Sequence, residues 1–251
     1  MRLPIQFQQK KLLYFNQERE VIAVYENAYY RWITCSRVLQ SLMLKSRPWQ
    51  LTLPHHNALL LPLLFFRPKQ VIELGLGGGN LSRFMKKIAL AIDWLTIEYE
   101  QNVIDCFRRY FNPLSQENQI IHADINHWFK HHNSGEHSWI IYDIYQPPKV
   151  STNPPDTLLQ LLLKTLTPDS CFSINLPEPS APELTLLLKQ LKRRQSSHRL
   201  YYFTVARYRN VIIQLLPKSW QLNGTGYLAE SYLPPKLIPP WLKCWQAGQE
   251  E

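Results

Sequence analysis

Val71-Ile72-Glu73-Leu74-Gly75-Leu76-Gly77-Gly78-Gly79-Asn80 runs from an apolar strand pattern through a glycine-rich turn into a helix pattern. Val71 to Leu74 suit a buried parallel strand, and Leu81, Phe84, Met85 and Ile88 recur at helical spacing directly afterwards. Glycines at 75, 77 and 79 let the backbone turn sharply and bring amides close to a ligand, as in nucleoside and dinucleotide sites. A plain glycine turn reads the same way, so the residues that end the following strands must decide between the two.

Downstream, apolar strands alternate with amphipathic helices. Strands are expected at Trp94 to Glu98, Gln119 to His122, Trp139 to Tyr142, Cys171 to Asn175, Leu200 to Val205 and Asn210 to Leu216, the last two as an antiparallel pair. Helices are expected near 101–111, 124–131, 157–166 and 182–192. The alternation predicts an α/β fold: a doubly wound, seven-stranded, mostly parallel sheet of methyltransferase or Rossmann-like type, with its ligand at the carboxyl ends of the strands.

Upstream, Leu12 to Phe15, Val21 to Tyr25, Tyr29 to Thr34 and Val38 to Leu44 are rich in aromatic and β-branched residues and read as a small antiparallel β appendage. Pro54 opens a helix expected to run to about Phe65. The chain thus divides into an N-terminal β-meander (1–53), an α/β domain (54–216) and a C-terminal tail (217–251). The tail is rich in Pro, Gly and Trp and is expected as irregular chain or one short helix.

At 251 residues, 45% hydrophobic and 19% charged, the composition is that of a globular protein with one large core. No apolar run approaches the roughly 18 residues of a membrane span, and Pro62 interrupts the longest, Ala58 to Phe66. The first 17 residues show no apolar signal region, and Cys35, Cys106, Cys171 and Cys244 lie far apart. A cytoplasmic, reducing setting is therefore the expectation, with no membrane partner. The net charge of +9 admits a polyanionic partner. Its densest cluster, Lys189, Lys192, Arg193, Arg194, His198 and Arg199, falls at a helix end, where basic residues also complement the dipole. Without a nucleic-acid motif beside it, nucleic acid is admitted but not favoured. His55-His56 and His131-His132 are adjacent pairs, which seldom converge on one ion, so no metal site is expected.

The strand ends are acidic. Glu98 follows the glycine loop by about 20 residues, where a carboxylate reaches a ribose diol, and Glu100 is its rival. Asp124 can accept from an adenine amine or cap the next helix. Asp143 ends the strand expected beside the first, the topological position for chemistry.

From about Tyr25 to Leu216 the chain resembles the spermidine synthase (polyamine aminopropyltransferase) family, whose fold is that of S-adenosylmethionine-dependent methyltransferases. The similar blocks are Val71 to Asn80; Ile97-Glu98-Tyr99-Glu100 with Val103-Ile104, for the family's V-E-I-D-x-x-V-I; Ile121 to Asp124; Arg109-Tyr110-Phe111; and Tyr142-Asp143. The resemblance implies that Glu98 binds ribose, Asp124 the adenine amine, and Asp143 is the catalytic aspartate. It also implies that the meander is the family's N-terminal β-domain, and because family members often dimerise it admits a homodimer without fixing the oligomeric state. The departures concern the polyamine. The loop G-G-G-D-G-G has Gly78 in place of the Asp that holds the aminopropyl ammonium, D-x-x-D-P has Gln146 for its second Asp, and Y-H-E becomes Pro54-His55-His56. Glu73-Leu74-Gly75-Leu76-Gly77-Gly78-Gly79 also resembles the E/D-x-G-x-G-x-G loop of methyltransferases, in which the acidic residue helps position the methionine amino group.

The expectation is a transferase binding S-adenosylmethionine, or its decarboxylated form, along Glu73, Gly75, Gly77, Gly78, Gly79, Glu98, Tyr99, Asp124 and Ile125. Asp143 is expected as proton acceptor, with Tyr145 and Gln146 orienting a small-molecule amine or other acceptor. Glu73, Gly78 and Gln146 favour methyl over aminopropyl transfer. Polyamine aminopropyl transfer, a non-catalytic nucleoside-binding descendant and a basic RNA-modifying enzyme are the alternatives.

Overall fold

The computed structural model describes residues 10–18, 20–88, 91–113, 115, 119–132, 138–144, 163, 166–205, 208–222 and 230–251. Tyr145, Gln146 and most of the helix expected over 157–166 lie outside the described residues.

The four N-terminal strands form as expected: β1 (Lys11–Asn16), β2 (Ile22–Glu26), β3 (Tyr30–Cys35) and β4 (Val38–Leu44), antiparallel in the order β1-β2-β3-β4. Asn27 Oδ1 accepts from the amides of Tyr29 (2.9 Å) and Tyr30 (2.8 Å), which fixes the turn between β2 and β3. One face of this sheet buries Ile22, Val24, Ile33 and Met43 against Leu76, Ile104, Phe107 and Phe111. The appendage therefore packs directly on the glycine loop, and it walls one side of the site.

The helix opened by Pro54 is shorter than expected. It runs as α1 (Pro54–Leu59), breaks at Leu60 and resumes as a 3-10 turn over Leu61–Leu64. Pro62 has no N–H to offer the carbonyl of Ala58, so the α-helical ladder stops there.

The central sheet carries the seven expected strands and one more. It comprises β5 (Gln70–Leu74), β6 (Asp93–Glu98), β7 (Gln119–His122), β8 (Trp139–Tyr142), β9 (Cys171–Leu176), β10 (His198–Thr204), β11 (Val211–Pro217) and β12 (Gln249–Glu250). Their spatial order is β7-β6-β5-β8-β9-β11-β10-β12, parallel from β7 to β9 and antiparallel beyond. β8, β9 and β11 are buried along their whole length, as strands covered on both faces must be. On one face Ile72, Leu74, Ile140 and Phe172 pack with Leu187, Leu188 and Leu191; on the other Val71, Trp139 and Ile141 pack with Leu59 to Leu61, Leu63, Leu64 and Trp241.

The connecting helices are α2 (Asn80–Lys87), α3 (Gln101–Cys106, continued by a π turn over Phe107–Phe111), α4 (Ile125–His131), α5 (Ala181–Arg194) and α6 (Ile238–Gln246). A capping box starts α5: Ser180 Oγ accepts from the Glu183 amide and Glu183 reaches back to the Ser180 amide. Lys192, Arg193 and Arg194 sit in its last turn, where they complement the dipole. Of the two readings of the tail, irregular chain or one short helix, the described residues show the short helix and add a strand. Its helix α6 buries Trp241, whose Nε1 donates to Asn57 Oδ1 at 3.0 Å, and β12 extends the sheet beside β10. Pro239 and Pro240 disguise α6 in the sequence, yet both lie in its first turn, where no intrahelical N–H is needed. No helix among the described residues is long and apolar enough to cross a membrane.

Candidate functional site

The parallel register lines up the strand ends. Leu74 faces Ile97 of β6 and Tyr142 of β8, and Glu98 faces His122 of β7. The next residues are tied down in turn: the Gly75 amide donates to Ile97 O (2.9 Å), that of Ala123 to Glu98 O (3.0 Å) and that of Asp143 to Leu74 O (2.9 Å). The glycine loop, Glu98, Asp124 and Asp143 thus come to one end of the sheet. There, a cavity of about 1050 Å³ lies between the loop and the N-terminal sheet. Glu73, Gly75, Gly77, Gly78, Glu98, Tyr99, Asp124, Ile125 and Asp143 all line it. Gly79 is the exception: it caps α2 in the left-handed region (φ 65°), with the ring of Phe107 against the place of a Cβ.

Gly78 is closed off from the other side. A Cβ there would overlap Ser41 Oγ of β4 and lie 3.1 Å from the Phe111 ring. Neither neighbour is free to withdraw. Ser41 Oγ donates to Asn80 Oδ1 at 2.9 Å. Arg83, 1% exposed, donates through Nη2 to the same oxygen (2.5 Å), through Nη1 to Gly78 O and Phe111 O (2.8 Å to the latter), and through Nε to Pro48 O (2.8 Å). One buried guanidinium therefore ties the loop, α2, the π turn and the segment after β4 together. Sequence reasoning missed Ser41, Asn80 and Arg83, because a lone arginine in an amphipathic helix gives no sign that it turns inward.

The carboxylates differ in environment. Glu98 Oε2 accepts from the Leu76 amide (2.9 Å) and Oε1 from the Glu100 amide (2.8 Å), so it braces the loop and β6 together; burial raises its pKa against these bonds. Glu73, 2% exposed, accepts through Oε2 from Trp94 Nε1 (2.9 Å) and Thr96 Oγ1 (2.8 Å). Desolvation outweighs both bonds and pushes its pKa up to about 8, so the acid is largely protonated at neutral pH. Asp124 does cap α4, accepting from the His127 amide at 2.9 Å, and it still lines the cavity. Both readings of that residue hold together.

Asp143 is the most constrained. Asn175 Nδ2 donates to its Oδ1 at 2.7 Å, and His56 Nε2 lies 3.5 Å from its Oδ2. Burial works to raise its pKa, but His56, the neighbouring His55 and the Asn175 amide outweigh it and hold the carboxyl down at about 2. So stable an anion is a weak Brønsted base and a good electrostatic anchor.

His55 and His56 reach this aspartate from the first turn of α1, which is fixed from behind. Gln214 Nε2 of β11 donates to Ala58 O (2.8 Å) and Leu59 O (3.2 Å), and Trp241 of α6 holds Asn57. No carboxylate stands near these histidines in the sequence, but the fold brings one to them: ligand atoms of His55, His56 and Asp143 all lie within 4.8 Å of one another. The two rings stand edge to face at 4.3 Å.

Among the described residues seven acidic side chains line the cavity, Glu20, Glu73, Glu98, Glu100, Asp124, Asp143 and Glu178, of which Glu73 is largely protonated at neutral pH, against two arginines, Arg37 and Arg209. On a chain of net charge +9 this concentration of acid selects positively charged ligands.

No family model matches the sequence, and no curated protein matches it. Solved structures do match. A probable spermidine synthase from Corynebacterium glutamicum superposes with a TM-score of 0.67 at 14% identity, covering 96% of this chain and 90% of that one. Human methyltransferase-like protein 13 in complex with SAH gives 0.61 at 20% identity, covering 76% and 93%. A spermidine synthase in complex with the transition-state analogue AdoDATO gives 0.62 at 17% identity, covering 92% and 88%. The chain has the fold shared by spermidine synthases and methyltransferases of the S-adenosylmethionine class.

Proposed function

We propose that the chain is an S-adenosylmethionine-dependent transferase that moves a methyl group to a small acceptor, an amine or another nucleophile. The closure of Gly78 by Ser41 carries this reading. In the aminopropyltransferase pattern, position 78 holds the aspartate that binds the ammonium of the decarboxylated donor. Here no side chain fits, and the missing negative charge removes a repulsion against the carboxylate of intact S-adenosylmethionine.

The residues present fit that cofactor. The glycine loop leaves its backbone open to close approach, Glu98 stands beside it for the ribose, and Asp124, Ile125 and Tyr99 form the wall expected to meet the adenine. Glu73 faces the methionyl end. Its buried acid ionises readily only beside a cation, which suits an ammonium partner. Bound there, S-adenosylmethionine would supply an electrophilic methyl on a sulfonium. The chain's part is positioning. The meander and loop exclude water on two sides, while Asp143, fixed by Asn175 and His56, presents a lasting negative charge at the acceptor end.

Product analysis tests it. Incubated with a panel of small amines, thiols and alcohols, the protein is expected to convert intact S-adenosylmethionine to S-adenosylhomocysteine. Release of methylthioadenosine from the decarboxylated donor would overturn methyl transfer in favour of aminopropyl transfer. No nucleoside product from either donor would overturn the transferase reading as a whole.

A further inference from the structure

We propose that His55, His56 and Asp143 bind a divalent first-row transition metal ion, zinc foremost, at the acceptor end of the cavity. Their ligand atoms lie within 4.8 Å of one another, and His56 Nε2 is 3.5 Å from Asp143 Oδ2. That separation is long for a hydrogen bond, which prefers about 2.9 Å. It is close to the edge of a tetrahedral ion: two ligands at about 2.1 Å from one zinc stand about 3.4 Å apart.

A second observation points the same way. His55 Nδ1 is buried and makes no hydrogen bond, and buried polar atoms in that state call for a partner. The carboxylate is also presented as a ligating carboxylate is. Asn175 Nδ2 occupies Oδ1 at 2.7 Å, and Asn210 Nδ2 in turn donates to Asn175 Oδ1 at 2.8 Å, which leaves Oδ2 for the ion. One contact opposes the site. Asn80 Nδ2 stands 3.5 Å from His56 Nδ1; ligation through Nε2 moves the ring proton to Nδ1, so that weak contact is given up.

Two imidazoles and one carboxylate suit zinc and its neighbours better than magnesium or calcium, which prefer oxygen alone. Three protein ligands on a cavity wall leave the next coordination position open, the arrangement of catalytic rather than structural zinc. Resting on the methyl-transfer reading, the open position takes an acceptor that carries a hydroxyl or thiol. The ion would lower the pKa of that group, and its O–H or S–H proton would pass to water. The resulting anion would attack the sulfonium methyl, forming the O–CH3 or S–CH3 bond as the cofactor's S–CH3 bond breaks and S-adenosylhomocysteine leaves. Metal binding itself does not depend on that reading.

The test is titration of chelator-stripped full-length protein with Zn²⁺ by calorimetry and with Co²⁺ by visible absorption. One ion per chain is expected, with cobalt bands of mixed nitrogen and oxygen coordination. His55→Ala and Asp143→Asn should each weaken binding at least about 100-fold, and Asn175→Ala by about 10–100-fold. The exposed pair His127 and His131 on α4, with rings 4.6 Å apart, is the control, and replacing both with Ala should change nothing. Thermal melts establish that each variant folds, and His55→Gln replaces His55→Ala if that one does not. Absence of binding, binding unaffected by the His55 and Asp143 variants, or binding lost only with His127 and His131 would each overturn the site. Cofactor binding is measured in parallel. Metal without cofactor would sink the transferase reading alone, and cofactor without metal would sink this proposal alone.

Discussion

Glu73 shows how one buried side chain ties stability to pH. Its ordinary pKa of 4.5 rises to about 8 in the folded chain, so the native state holds a proton that the unfolded state releases. Between those values the native state binds more protons, and stability from this group falls as pH rises. Its contribution is complete below about 4.5 and is lost as pH passes through about 8. Glu73→Gln keeps an oxygen for Trp94 and Thr96 without the charge. The variant is expected to melt higher than the parent near pH 9 and about equally near pH 4; an unchanged pH profile of the thermal midpoint would count against a buried protonated acid. Glu98 makes the contrasting case, since its two oxygens hold the amides of Leu76 and Glu100. Glu98→Ala strands both donors and should cost about 1–3 kcal/mol for each one left buried, read as a shift in the urea midpoint.

At the scale of elements, the unit from β5 through the glycine loop to α2 was plain in the sequence, because an apolar strand, alternate glycines and a helical repeat leave one arrangement open. Asp143 was legible for the same reason, as the end of a strand that had to lie beside β5. What periodicity does not carry is contact between distant segments. Ser41 closes on Gly78 from the N-terminal sheet, and Arg83 turns inward to four oxygen acceptors, of which Pro48 O and Phe111 O lie far from it in sequence. Two predictions belong here. Arg83→Ala leaves buried carbonyls without a donor and should lower stability by at least about 3 kcal/mol in urea unfolding. Gly78→Ala should cost about 1–3 kcal/mol by overpacking against Ser41 and Phe111; a neutral result would show that the loop has room after all, and with it an aspartate.

Across the whole molecule, the site is built by segments that the sequence suggested were separate. The meander supplies one wall, the carboxyl ends of the central strands the other, and the tail holds α1 in place through Trp241 and Asn57. One short helix was among the readings of the tail, but its place was not legible because it begins with prolines, and the strand was missed because it is two residues long. Trp241→Ala should cost about 3–5 kcal/mol and loosen α1, weakening metal and ligand binding at His55 and His56 from the far side of the helix. The seven acids in the cavity and the positive charge elsewhere predict that cation binding falls as salt rises. The central claim is that this cavity takes intact S-adenosylmethionine, and calorimetry with that compound, its decarboxylated form and methylthioadenosine tests it most directly. The account predicts tighter binding of the intact cofactor, abolished by Glu98→Ala in a variant that still folds; tighter binding of the decarboxylated form, or no binding of any of the three, would contradict it.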